Sequence, residues 1–364
     1  MRASDQLPAD VAALLEGRGV FRVADARAAG ISSPRIRRLA RANLLTVVAP
    51  GCYVSTARLA PLDAWEKHRE LARAFALSCD VPVLVTSWAA AYQWKLRMAG
   101  PVPRLPTVVH PEPGRSWRSK YARVTTGSVP NEHQKAVGKR GRRRWGLVSM
   151  PWAVGDIARL APVPDALIVA DSALRAGAEL SAVPILFSSW RGVARARWVA
   201  EHADGLSESA IETLGRFTCM AFDLPMPVSN AWVGETGPEF RVDHLWPHHR
   251  AVGEADGAVK YEVESAAAVV RKQNDRDFRL RRLGLDVVHY GWDEAFRNRR
   301  QLAERFAALL RDNPADREPL RWWKHVPDGE PVAPNSDDWP SPHPLGLILP
   351  AGWDVEHDPL RQPT

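Results

Sequence analysis

Residues 239–261, EFRVDHLWPHHRAVGEADGAVKY, decide how the C-terminal half of the chain folds. Two β-prone runs, Glu239 to Trp246 and Arg250 to Asp256, flank Pro247-His248-His249, which is turn chemistry, so the stretch predicts a hairpin. Side chains alternate along a strand, which puts Asp243 with Leu245 on one face and Val252 with Glu254 and Asp256 on one face. An even loop centred on His248 and His249 sets Asp243 directly opposite Glu254, with roughly 5 Å between the two Cβ atoms. Facing carboxylates repel and destabilise a hairpin unless something positive lies between them, so the pair points to a hard cation. The oxygen-only donor set selects Mg2+ or Mn2+. Gly257 allows a sharp exit from the second strand, and Lys260 follows three residues later, placed to stabilise developing phosphate charge.

The flanking segments extend the pattern. Ser207 to Phe222 reads as a helix carrying Glu212 and Arg216 four apart, and Ala231-Trp232-Val233 as a strand. After the hairpin come a long basic helix from Ser265 to Arg282, a strand from Leu285 to Tyr290 and a closing helix from Trp292 to Leu310. Helix, hairpin, helix, strand, helix is the order of a restriction-endonuclease-like α/β core. The stretches IETLGR, RVDHLWPHHRAVGEADGAVKY and RDFRLRRLGLDVVHYGWDE resemble the domain of unknown function related to very-short-patch-repair endonucleases, within the PD-(D/E)XK nuclease superfamily. The resemblance implies metal-dependent phosphodiester hydrolysis of DNA. By position, Asp243 matches the first metal carboxylate, Glu254 the second, and Glu212 the acid of the leading helix. Where the superfamily has a lysine two residues past the second acid this chain has Asp256, leaving Lys260 to act from a displaced position and Asp256 as a further ligand or general base.

At the other end of the chain, helical spacing recurs over residues 8–18, Val23 to Ala29 and Ser33 to Asn43, with Gly30-Ile31-Ser32 as the turn between the last two. The third helix turns Ile36, Leu39 and Ala40 inward and Arg35, Arg37, Arg38 and Arg41 outward, as a DNA-recognition helix requires. Leu45 to Val48 and Cys52 to Ser55, joined by Ala49-Pro50-Gly51, complete a winged helix. GISSPRIRRLARANLLTVVAPGCYV is similar to the start of AbiEi-family antitoxins, which implies a DNA-binding regulator with a toxin-type protein as partner.

Four segments are therefore expected in an α/β multidomain chain: a winged helix-turn-helix over 1–58, a middle α/β antitoxin-like region over 62–200, the endonuclease-like domain over 205–312 and a Pro-rich tail over 313–364. Within the middle region, Asp156 and Asp171 read as structural carboxylates. Lys139, Arg140 and Arg142, in the densest basic run of the chain, read as a phosphate-backbone clamp. A chain of 364 residues with 45% hydrophobic content supports several cores, and a formal charge of +7 favours anionic partners. Three isolated cysteines speak against a disulfide framework and against a structural zinc and fit a cytoplasmic protein, with no apolar run long enough for a membrane span. Two functions compete, a DNA-binding, metal-dependent endonuclease in phage defence or repair and an antitoxin-like transcriptional regulator whose nuclease-like domain is catalytically silent, and a third is a structural or partner-binding protein that uses the Pro- and Trp-rich tail.

Overall fold

The computed structural model describes residues 6–17, 19–114, 116–137, 145–257, 266–315 and 320–353, with backbone alone for 266–270. Lys139, Arg140, Arg142 and Lys260 lie outside the described residues. Two compact units divide the chain. Unit 1 is 1–162 with 178–197 and 355–364, and unit 2 is 163–177 with 198–354.

Unit 1 opens with α1 (Ala9–Leu15), β1 (Phe21–Arg22), α2 (Val23–Ala28), α3 (Ser33–Arg41), β2 (Leu45–Ala49) and β3 (Cys52–Ser55). The strands form a three-stranded antiparallel sheet, β1-β3-β2. Gly30 ends α2 with φ +76°, a left-handed backbone that costs glycine nothing, and the Ile31 N–H returns to the Ala26 carbonyl at 2.8 Å. The chain thereby turns straight into α3. Ile36, fully buried, joins Val11, Phe21, Ala26, Ile31, Leu45 and Tyr53 in one apolar cluster, and Leu39 and Ala40 pack against it. Only β1 was not legible in advance, because two residues carry no periodicity.

The chain continues with α4 (Thr56–Leu59), α5 (Ala64–Ser78), β4 (Leu84–Val85), α6 (Ser87–Gln93), β5 (Thr107–His110), β6 (Trp117–Arg118), β7 (Arg123–Thr126), β8 (Gln134–Val137), β9 (Trp145–Val148) and α7 (Met150–Ala158). Its strands make a six-stranded mixed sheet, β6-β7-β5-β4-β9-β8. Asp156 accepts from Thr86 Oγ1 at 2.9 Å and pairs with Arg159, so its carboxylate is consumed structurally.

Next come α8 (Val163–Arg175), which belongs to unit 2, α9 (Val183–Leu186) in unit 1, and α10 (Val193–His202), with residues in both units. Unit 2 proceeds through α11 (Ala210–Ala221), β10 (Val228–Val233), β11 (Phe240–Trp246), β12 (Ala251–Asp256), α12 (Ala266–Arg282), β13 (Asp286–Gly291), α13 (Trp292–Phe296), α14 (Arg299–Asp312) and β14 (Trp322–Trp323). One sheet in the order β13-β12-β11-β10-β14 spans the unit. It is antiparallel throughout except for the parallel pair β12 and β13. The single closing helix expected from Trp292 to Leu310 is two helices. Asn298 leaves the helical backbone at φ −112°, ψ 41°, and its side-chain amide donates to Asp293 at 2.7 Å.

The Pro-rich segment supplies β14, which pairs with β10 at the sheet edge, and buried Trp322 joins the unit's apolar cluster with Val242, Leu245, Val252 and Leu280. His249 and His248, expected as plain turn residues, face this segment. The His249 ring meets the carbonyls of Asn313 and Pro342 at 2.8 and 2.9 Å, and His248 packs on Trp339.

Candidate active site and nucleic-acid face

Hairpin register builds the acidic cluster. Trp246 faces Ala251, Leu245 faces Val252 and His244 faces Gly253, and one further step of the same register sets Asp243 opposite Glu254. The paired ladder ends before that step, and there the Ala255 N–H donates to Asp243 Oδ2 at 2.8 Å. On the neighbouring strand, Ser229 faces His244 and Ala231 faces Val242, which places Asn230 beside Asp243. Glu254 in turn pairs with His289 across the parallel step. Asn230, Asp243, Glu254 and His289 therefore form one row across the sheet.

Asn230 sits at φ +51°, a left-handed conformation that asparagine tolerates better than most residues. Its side-chain amide donates to Glu212 Oε2 at 2.7 Å and to the Leu206 carbonyl at 2.8 Å. Glu212 is buried on α11, and its Oε2 also accepts the Glu208 N–H at 2.7 Å. A buried ion pair anchors that helix: Asp171 of α8 takes both Arg216 and the Thr213 hydroxyl. The Glu212 and Arg216 that sequence spacing set four apart thus serve different partners.

Burial, with Glu254 and Glu212 nearby, pushes the Asp243 carboxyl up to about 7. Burial also raises Glu254, against the opposing pull of Arg276, whose guanidinium lies 2.8 Å from Glu254 Oε1. Arg276 pairs with Glu254 and lowers Asp243 as well, but burial with the neighbouring acids outweighs it at both carboxyls, which favours their protonated forms.

Asp256 stands apart from that trio. It is exposed and meets Gln273 Nε2 at 3.1 Å and His289 Nδ1 at 3.2 Å. The other His289 nitrogen lies 3.0 to 3.1 Å from the Asp277 carboxylate. Burial lowers the His289 imidazole, but Asp277 and Asp256 outweigh it and hold the ring above its ordinary value. A cleft of about 330 Å³ opens here, lined by Glu254, Asp256, Lys272, Gln273, Arg276 and His289 among others.

Sequence reasoning missed Asn230, Gln273, Arg276, Asp277 and His289. The spacing of 273, 276 and 277 already put three of them on one face of α12. Which face meets the sheet, and the parallel register that brings His289 to Glu254, depend on long-range packing.

Among the described residues, no group of three or more His, Cys, Asp or Glu side chains is arranged as a complete metal cage. The oxygens that could serve an ion there are those of Asp243 and Glu254, of which Asp243 Oδ2 already takes the Ala255 N–H and Glu254 Oε1 already takes Arg276.

The second candidate surface is α3. Arg37, Arg38 and Arg41 are exposed, whereas Arg35 is held by Asp10 of α1 at 2.6 and 3.0 Å. Residues 10–56, which contain this helix, match the family described as "Transcriptional regulator, AbiEi antitoxin". The N-terminal part of the chain is thus similar to a transcriptional-regulator domain of the AbiEi antitoxin type. The uncharacterized proteins MT2308 (strain CDC 1551 / Oshkosh) and Rv2248 (strain ATCC 25618 / H37Rv) of Mycobacterium tuberculosis are each 32% identical to it over 185 residues, 49% of this chain and 67% of theirs. The chain belongs to the family of these two mycobacterial proteins. No helix among the described residues is long and apolar enough to cross a membrane.

Proposed function

We propose that this protein is a DNA-binding regulator whose unit 2 is a metal-dependent endonuclease domain acting on phosphodiester bonds. The observation that carries the reading is the hairpin register, which runs to His244 and Gly253 and so leaves Asp243 and Glu254 at the next step, with Glu254 and Glu212 both acting on the Asp243 carboxyl. The order α11-β10-β11-β12-α12-β13, with its last strand parallel to β12, supports a nuclease-type core. For the N-terminal part, the three helices and three-stranded sheet support a winged helix with α3 as the DNA-reading element. The antitoxin-type match also supports a toxin-type partner, which co-purification with a co-expressed toxin would test.

In this reading Asp243 and Glu254 hold Mg2+ or Mn2+, which when bound polarises the scissile phosphate and lowers the pKa of a water. Asn230 and the Glu208 N–H fix Glu212, and burial, then Glu254, then Glu212 raise the proton affinity of Asp243, so Asp243 would have to give up its proton to hold the ion. Arg276 orients Glu254. His289, steadied by Asp277, holds a proton beside Asp256 in the cleft.

The test is cleavage of plasmid DNA by the full chain with Mg2+ or Mn2+. We expect loss of about 100-fold or more in Asp243→Ala and Glu254→Ala, since even indirect supports of a metal are worth 10- to 100-fold. Cleavage that survives both substitutions would trace to a contaminant and end the reading.

One observation favours a second reading, a regulator with a silent nuclease-like domain. Arg276 already neutralises Glu254, and Asp256 stands where a catalytic lysine is usual. That reading requires sequence-preferring DNA binding with no cleavage under either metal.

A further inference from the structure

A larger cavity of about 580 Å³ lies elsewhere on unit 2, between the β10–β11 turn, the C-terminal end of α12 and the start of β14. Phe240, Leu283 and Leu320 give it an apolar lining, and Arg279, Arg282 and Arg321 are exposed around it. Arg321 stacks on the Trp323 ring at 5.0 Å, which holds its guanidinium in place. Neither Arg279 nor Arg282 has an ion-pair partner among the described residues. Glu239 on the opposite rim accepts the Glu235 N–H at 3.2 Å.

Helix α12 links this cavity to the acidic cleft. Arg276 faces Glu254, and Arg279 and Arg282 follow at one-turn intervals, so the three span about 9 Å of helix axis. Over its 17 residues α12 carries six basic side chains against two acids, Asp275 and Asp277, and Asp277 is committed to His289. Uncommitted guanidiniums repeating along a helix that leaves an acidic cleft suit a ligand of repeating anionic charge better than a single carboxylate.

From this juxtaposition we infer that the Arg279–Arg282–Arg321 cavity seats backbone phosphate of a nucleic-acid strand running along α12, which gives unit 2 a nucleic-acid contact of its own. The inference extends the endonuclease reading but does not need cleavage to occur. Its guanidiniums clamp phosphate without reading bases.

The experiment uses the full chain carrying Arg37→Ala and Arg38→Ala, so that α3 contributes equally throughout. Fluorescence anisotropy follows binding to a labelled DNA duplex of arbitrary sequence in chelator, across a range of salt. Adding Arg279→Gln, Arg282→Gln and Arg321→Gln is expected to weaken binding at low salt by about tenfold or more and to flatten the log K against log salt slope by about 2 to 3, near 0.9 per phosphate contact. Lysine at the same three positions is expected to keep the slope. If the triple variant fails to fold, the exposed single changes Arg279→Gln and Arg282→Gln are each expected to remove close to one unit of slope. An unchanged slope and affinity in a variant with a wild-type melting curve would overturn the inference. So would saturable binding of inorganic phosphate or a mononucleotide, read by Trp323 fluorescence, that leaves duplex binding untouched. A flattened slope in a protein that never cuts DNA would sink the endonuclease reading and leave this inference standing.

Discussion

Asp243 holds its proton more tightly in the folded chain than in the unfolded one, because burial and then the Glu254 and Glu212 carboxylates disfavour its charge. The sign of the pH effect follows. With an unfolded value of 3.8 and a folded value of about 7, the protonated carboxyl favours folding fully below about pH 4, and that contribution is lost as pH rises to about 7. Asp243→Asn keeps an oxygen for the Ala255 N–H without the charge, so it is expected to match the native protein near pH 4 and to exceed it by about 2 kcal/mol at pH 8 in metal-free buffer. Denaturant melts at the two pH values measure this, and equal stabilities at pH 8 would show that Asp243 carries no such strain. Mn2+ should raise the melting temperature of the native protein at pH 8 and leave Asp243→Asn unmoved, since only a ligand that binds the folded site stabilises it.

Element by element, what the sequence made legible follows from local physics. The hairpin register could be read from two-residue alternation and the Pro247-His248-His249 turn, and α3 from a glycine turn followed by an apolar triplet at helical spacing. The left-handed Asn230, the parallel pairing of β13 and the face that α12 offers the sheet could not, because each is fixed by contacts distant in sequence. Helix α3 supplies a direct test: with Ile36 fully buried, Arg37 and Arg38 point to solvent, and changing both to Ala should weaken binding to a cognate duplex about tenfold or more while leaving the melting curve in place. Helix α11 supplies another. A Cβ on Gly215 would lie 2.1 Å from the Tyr290 hydroxyl and 2.7 Å from His244 Nε2, so glycine lets this helix approach the sheet closely. Gly215→Ala should push α11 outward and cost about 1–3 kcal/mol by denaturant melting, despite the better helix propensity of alanine. A neutral or stabilising result would mean that the Tyr290–His244 pair, at 2.8 Å, shifts aside freely.

At the scale of the whole molecule, each unit carries its own core, and in unit 2 that core is closed by residues far along the chain. A composition rich in Pro, Asp and Trp suggests an extended tail because it lacks any period, yet period is not what fixes the segment. Two consecutive tryptophans pair with Trp232 and Val233 at the open edge of β10, and Trp322 packs edge-on against Trp339 at 5.7 Å between ring centroids. His249, in the hairpin turn that positions Asp243 and Glu254, meets carbonyls at two points of the same segment. The segment therefore covers a sheet edge that would otherwise invite pairing with other chains and braces the hairpin from the turn end. Trp322→Ala removes a side chain only 1% exposed and should cost about 3–5 kcal/mol, the usual range for truncating a buried aromatic to alanine. Because β10 also carries Asn230, the same change should loosen the grip on Glu212. Hydrogen exchange on the intact chain should then report faster exchange at the β10 and β11 amides, while those of β2 and β3 in unit 1 keep their protection. Exchange that quickened equally in both units would make the segment a general stabiliser of the chain, and unchanged exchange in β10 would show that the edge strand bears no part in holding the acidic row.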